Sequence, residues 1–300
     1  MDLSMVKMQL CILLMLIAGF ACGKAGLFST EGRKALTNIF TKVVLPCNVL
    51  SSFCTHVPLA EIKSGLPMIL IYSLVLLCSW LIGKLLFKNA PQEEKNIYIY
   101  AALMSNAHFL GFPVVEALWG SKALIYASMA LIPIVFFSWT LGLGLFVSSN
   151  KKDGVKAFLT HPCFIALIIG LILTAFQTDI PGPAAEAITR FGGCVMPFSV
   201  LLIGSNLSEI DLGGIFRFKN ILSCSLRLLI IPFLTLLILR LFRVSEEITR
   251  VVVVMVGMPV AMITAVLAEQ YHADTKSASQ LVFLSTVGSL FTLPVLYLFF

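Results

Sequence analysis

Two stretches of this chain place unusual residue types in the middle of apolar segments. The first, YIYAALMSNAHFLGFPVVEALWG, carries Asn106, His108, Gly111 and Pro113. The second, VVVVMVGMPVAMITAVLAEQY, carries Gly257, Met258, Pro259 and Thr264. Proline removes one backbone hydrogen bond from a helix and obstructs another, at a cost of about 3 kcal/mol or more. The carbonyls and amides so freed must find partners in a cavity or among neighbouring helices. A half-helix starting at mid-depth presents free amides and partial positive charge, which suits a carboxylate. Asn106 adds a side-chain donor to the same anion. The pattern predicts an anion site between two interrupted helices, built from Asn106, Gly111, Pro113, Met258, Pro259 and Thr264.

A second pair of segments offers another wall. Leu45-Pro46-Cys47-Asn48 has a counterpart in Met196-Pro197-Phe198-Ser199, so Pro46, Asn48, Pro197 and Ser199 are further candidates. Packing kinks or a dimer contact are the competing use of these residues. Ionisable residues within spans are costly and read as functional by default. Arg227 is the sharpest of them, either pairing with an anionic substrate, bracing backbone carbonyls or snorkelling to an interface. Glu116 and Glu269 lie near span ends, where solvation accounts for them. His108 reads as a hydrogen-bonded packing residue before it reads as a proton relay, and Lys42 stays ambiguous.

These residues sit in a chain that is 59% apolar and 12% charged, against about 45–50% and about 25% for a soluble domain. Ten apolar segments fill its 300 residues, at about 20 residues per span. They run over 3–23, 35–56, 66–87, 97–119, 122–147, 159–177, 184–206, 219–241, 248–270 and 278–300. The expected fold is an all-α polytopic membrane protein of ten transmembrane helices. The net charge of +6 is spread through loops and is no nucleic-acid signature. The eight cysteines form no CxxC pair and no metal-ligand spacing. No metal or cofactor is expected. HExxH, GxGD, P-loop and G-x-S-x-G patterns are missing, as is any aspartate at mid-span, so an enzyme is not expected.

The segments repeat. Gly19 finds Gly170 and Pro46 finds Pro197 at an offset of 151, and Glu93-Glu94, placed in a polar loop, find Glu246-Glu247 at 153. An odd number of spans per copy inverts the second, the architecture of secondary transporters. Residues 1–150 and 151–300 are therefore expected to be two inverted five-helix repeats, with the fourth and ninth helices broken. The first segment could pass for a signal peptide, but its counterpart is a full internal span, so it is expected to be retained. Twelve Lys and Arg on one face against seven on the other put both termini outside. The repeats break at different heights, so the site should be asymmetric, with Asn106 supplied by one copy only.

SNAHFLGFPVVEALWG, MPVAMITAVLAEQYHAD and the opening LIAGFACGKAGLFSTEGRKALTNIFTKVVLPCNVL resemble the auxin efflux carrier family, within the bile/arsenite/riboflavin transporter superfamily. The resemblance covers essentially the whole chain. It implies a scaffold from helices 1, 2, 6 and 7 with a dimer contact, and a moving transport domain from helices 3–5 and 8–10 crossing in helices 4 and 9. It further implies elevator-like carriage of a small organic anion such as malate, malonate or an auxin-like acid across the cell membrane, with proton or sodium coupling. Asn106, Pro113 and Pro259 match the family's crossover positions. The chain departs in its short connector SNKKDGVK and in a third span without a carboxylate, which disfavours auxin and suits a bacterial inner-membrane member. The alternatives are a sodium-coupled anion symporter of the related bile-acid fold and a non-transporting membrane sensor.

Overall fold

The computed structural model describes residues 3–54, 63–146, 159–210, 213–271 and 273–300. Among them the chain is helical apart from turns and one isolated β-bridge. In order the helices are α1 (Leu3–Lys24), α2 (Thr30–Ile39), α3 (Leu45–Ser51), α4 (Pro67–Leu86), α5 (Gln92–Leu103), α6 (Phe112–Phe137) and α7 (Pro162–Ala175). They continue as α8 (Gly182–Gly193), α9 (Val195–Leu207), α10 (Phe218–Ser225), α11 (Ile231–Leu241), α12 (Glu246–Val256), α13 (Ile263–Gln270) and α14 (Thr275–Tyr297). Among the described residues, five helical stretches are long and apolar enough to cross a membrane: 63–86, 107–145, 182–207, 218–241 and 275–297. Their outward faces carry bare leucines and isoleucines, among them Leu70, Leu74, Leu85, Leu237 and Leu241. A surface of that kind is solvated by lipid, not by water.

Prolines set the shape of several helices. The wide turns Phe40–Val44, Ala107–Gly111 and Leu226–Ile230 each end one residue before an X-Pro step, at Pro46, Pro113 and Pro232. A proline cannot donate to the carbonyl four residues back, and its ring crowds that carbonyl. The turn relaxes to five-residue spacing, in which Leu45 donates to Phe40, Phe112 to Ala107 and Ile231 to Leu226. Such π-turns reorient the side chains they carry. α6 is two helices in one run, meeting at Gly120 (φ 74°, ψ −167°), a conformation open only to glycine. That residue falls between the segments expected at 97–119 and 122–147.

Glycines set the closest contacts. A Cβ on Gly19 would lie 2.3 Å from the Leu201 carbonyl oxygen, and one on Gly204 2.3 Å from that of Leu16. α1 and α9 therefore touch backbone to backbone, the small-residue packing of membrane helices. Arg33 bonds Glu209 and Ser205 at the end of the same contact. Gly170 of α7 meets Phe53 just beyond α3, where a Cβ would fall 2.3 Å from the ring. The two glycines that anchor the sequence repeat thus do the same thing, each allowing close approach to a different neighbour.

α5 and α12 lie innermost. Ile97 to Leu103 and Val251 to Val256 are buried all round, as expected of helices enclosed by other helices. One expectation is corrected: Glu94 sits in the first turn of α5 and not in a loop, because Pro91 opens that helix. Glu94 pairs there with Lys219 at 2.8 Å. The matched residues Glu246 and Glu247 likewise form the first turn of α12. Lys122 donates to Glu247 and, with help from Tyr126, holds its carboxyl below the usual carboxylate range. Acidic first turns suit the positive helix end. Inside the fold, Tyr98 donates to Asn220 at 2.9 Å and Asn220 to Gln280 at 3.1 Å, tying α5 to α10 and α14. Residues 55–62 and the expected connector 149–156 lie outside the described residues, as does the Glu269 side chain.

Gly204→Ala should lower the thermal midpoint of the purified protein by the equivalent of about 1–3 kcal/mol or more, the range for overpacking. Gly193→Ala, where a Cβ meets nothing within 4 Å, should leave it unchanged. Equal midpoints for the two variants would contradict the backbone contact of α1 with α9.

Candidate functional site

The helical path stops twice inside the structure. After Leu103 the chain is extended at Met104 (φ −106°, ψ 114°) and turns at Asn106 (φ −76°, ψ 46°) before the helix resumes. After Val256 it leaves the helix through Gly257, Met258 and Pro259, and resumes at Ile263. The two interruptions meet. Ser105 and Val260 form an antiparallel bridge, flanked by Asn106 N–H to the Pro259 carbonyl at 2.7 Å and Ala261 N–H to the Met104 carbonyl at 3.1 Å. Val260 N–H donates to Ser285 Oγ of α14 at 3.0 Å. Each break thereby supplies partners for the other, as a dry interior demands.

Carbonyls at the ends of α5 and α12 are met by Arg227. It is 1% exposed, within the wide turn that Pro232 produces. Its Nη1 donates to the Ala102 carbonyl at 2.8 Å, Nη2 to Val256 at 2.5 Å and Nε to Met258 at 3.4 Å. Ala102 belongs to the last turn of α5, Val256 is the last residue of α12, and Met258 lies just beyond it in the break. A cation at a helix C-terminus is stabilised by the partial negative charge there, and this one serves two termini. The planar fork of guanidinium donors suits carbonyls on separate elements, which a lysine ammonium does not match.

On the far side of the first break lies a cavity of about 120 Å³. Ser105, Asn106, His108 and Phe109 come from the break, and Ala261, Met262 and Ile263 from the exit of the second. Tyr100, Ser138, Thr41, Leu45 and His161 also line it. Among the described residues, three buried side-chain nitrogens of this wall have no hydrogen-bond partner in the protein: Asn106 Nδ2, His108 Nε2 and His161 Nδ1. The imidazoles lie 6.3 Å apart between centroids at 24°. Pro162 opens α7 and keeps His161 extended before it, which places the imidazole outside the helix end. Unpartnered buried polar groups cost free energy unless a ligand or water meets them. The first helical turn after Asn106 adds backbone amides with no partner in their own helix.

A model for membrane transport proteins matches residues 4–158 and 145–297. The chain belongs to that family. Similar proteins include the uncharacterized transporter MJ1031 of Methanocaldococcus jannaschii, 25% identical over 297 residues that span 95% of this chain and 96% of the relative. A transporter of Methanothermobacter thermautotrophicus is 25% identical over 299 residues, 95% of each chain. YfdV of Escherichia coli K12, another uncharacterized transporter, is 20% identical over 301 residues, 95% of this chain and 94% of its own. The resemblance to auxin efflux carriers is borne out at the level of the family. The protein is a multi-pass membrane transporter and not an enzyme.

Of the candidate residues, the transporter brings only Asn106 to this cavity. Gly111 and Met258 face each other behind it, a Cβ on Gly111 falling 3.3 Å from Met258 Cγ. Pro259 contributes its carbonyl to the bridge and Pro113 sits buried at the start of α6. Thr264 turns its hydroxyl to the Ala261 carbonyl at 2.6 Å, and Ser199 to that of Met196 at 3.1 Å. Asn48 donates to Glu116 at 3.0 Å, so that carboxylate is held by a neighbour as well as by any solvent. Pro46 precedes it at the start of α3, and Pro197 is exposed on α9. Arg227 supports the breaks from behind. His161 does not stand out in the sequence; the His-Pro step ahead of an apolar run is the available signal.

Arg227→Lys and Arg227→Met should both lower thermal stability markedly, on the order of 3–5 kcal/mol for a broken buried charge network, and stop transport. A lysine variant as stable as the parent would show that the three carbonyls do not depend on the guanidinium.

Proposed function

We propose that this transporter carries a small organic anion, a mono- or dicarboxylate of the size of malonate or malate, by alternating access. The observation that carries the reading is the unpartnered amide nitrogen of Asn106, 3% exposed, on the wall of a cavity at the meeting of two helix breaks. Neighbouring first-turn amides supply further donors, a group that favours a carboxylate over a cation or an apolar solute. A volume of about 120 Å³ favours a small acid over an indole-bearing one.

On this reading the chain is two inverted five-helix repeats, residues 1–150 and 151–300, with its crossing at 104–106 and 257–262. The matched roles of Gly19 and Gly170 support the repeat. Thr41, Leu45 and His161 belong to the scaffold helices, and the rest of the cavity wall to the transport unit. A site shared between two bodies is one that sliding of either body opens to alternate sides of the membrane. The cell membrane is the setting, and a homodimer through the scaffold is the assembly proposed.

Asn106→Ala tests the reading cleanly, because the lost nitrogen makes no bond within the protein. Proteoliposome uptake of malonate or malate should fall at least about tenfold, the value of one hydrogen bond to a charged group, with the thermal midpoint unchanged. Undiminished flux through a well-folded variant would remove Asn106 from the site.

A further inference from the structure

The cavity is built for an anion yet holds no fixed cation. Among the described residues its wall contains no Lys, Arg, Asp or Glu; its ionisable members are Tyr100, His108 and His161. A carboxylate taken out of water without a compensating charge is strongly disfavoured. The guanidinium at the breaks, Arg227, is committed to the carbonyls of Ala102, Val256 and Met258. In transporters with broken helices, such half-helix carbonyls are where a coupling metal cation binds. Here a guanidinium already takes them.

Other ionisable groups on the packed elements are placed elsewhere. Lys42, on the wide turn after α2, is exposed. Glu116 of α6 is bonded by Asn48 of α3, and Lys122 pairs with Glu247. Glu246, Glu247 and Arg250 occupy the first two turns of α12, the end away from the break. Cys163 is buried in α7, and α9 carries no charged residue. The compensating charge must therefore come from protonation of the wall itself.

We propose that His108 and His161 form a proton site, so that the anion is carried together with one proton held on this pair. The proposal rests on the organic-anion reading above. A neutral imidazole offers one donor and one acceptor, whereas a protonated one offers two donors. Protonation of either ring supplies both the charge and the donor that the unpartnered nitrogens lack. The proton comes from bulk water and adds to an imidazole nitrogen; the carboxylate stays ionised, and no covalent bond changes. By linkage, proton and anion raise each other's affinity by the same factor. His108 follows the first break while His161 opens α7, so the pair also spans the two bodies whose relative motion exposes the site.

Isothermal titration of the purified transporter with acetate, malonate and malate, in two buffers of different ionisation enthalpy near neutral pH, counts protons taken up per anion bound. About one proton is expected. His108→Gln and His161→Gln should each abolish the uptake, weaken binding roughly tenfold or more and flatten its pH dependence. Binding without proton uptake by the parent protein, or uptake that persists in both variants, would overturn the proton site and leave the anion reading standing. Failure of all three acids to bind would overturn the anion reading, and the proton site with it.

Discussion

A helix cannot stop in a buried interior unless something other than water meets its loose backbone groups. This chain stops two helices, after Leu103 and after Val256, and much of its interior is arranged around that constraint. One guanidinium takes carbonyls from both helix ends, and the two breaks pair with each other through Asn106, Pro259, Met104 and Ala261. Position follows from sequence at each step. Pro232 widens the turn before it, the wide turn carries Arg227, and Arg227 reaches two helix termini at once. The surrounding helices then need only enclose α5 and α12, which they do with apolar side chains and close glycine contacts.

The same arrangement explains why one side of the breaks is polar and available. Carbonyls at the helix C-termini are spent on Arg227, whereas donors on the N-terminal side, headed by Asn106, are left facing a cavity. Charge is thereby sorted: the fixed cation is locked behind, and the pocket in front is rich in donors and free of fixed charge. Such a pocket suits the proposed anion, arriving with its own compensation. A lysine or arginine on the wall would hold an anion more tightly, but a carrier must also release its cargo.

Much of this is legible in the residues. Polar and helix-interrupting types at mid-segment mark both breaks, because proline and glycine act locally through backbone sterics and hydrogen bonding. Asn106 stands out for the same reason. Arg227 is conspicuous, but a single sequence does not say whether a buried cation faces a substrate or a row of carbonyls; the answer depends on a turn set by Pro232. Asn48 and Ser199 share types and spacing with site residues, yet their partners are Glu116 and a carbonyl of their own helix. His161 is hidden in the sequence because its place on the cavity wall is wholly non-local, created when α7 packs across from His108. Glu94 reads as loop in the sequence, since an acidic first turn and a polar loop look alike until the proline before it is taken as a helix start.

The central claim is that an organic anion binds where the two breaks meet. It is tested most directly by an electron-microscopy map of the purified transporter with malonate at saturating concentration. The account predicts density in the cavity beside Asn106, with a carboxylate oxygen in hydrogen-bond range of its side-chain nitrogen and of His108 or His161. Density seated elsewhere, for example in the apolar groove between α4 and α11, with the cavity wall unchanged, would contradict it.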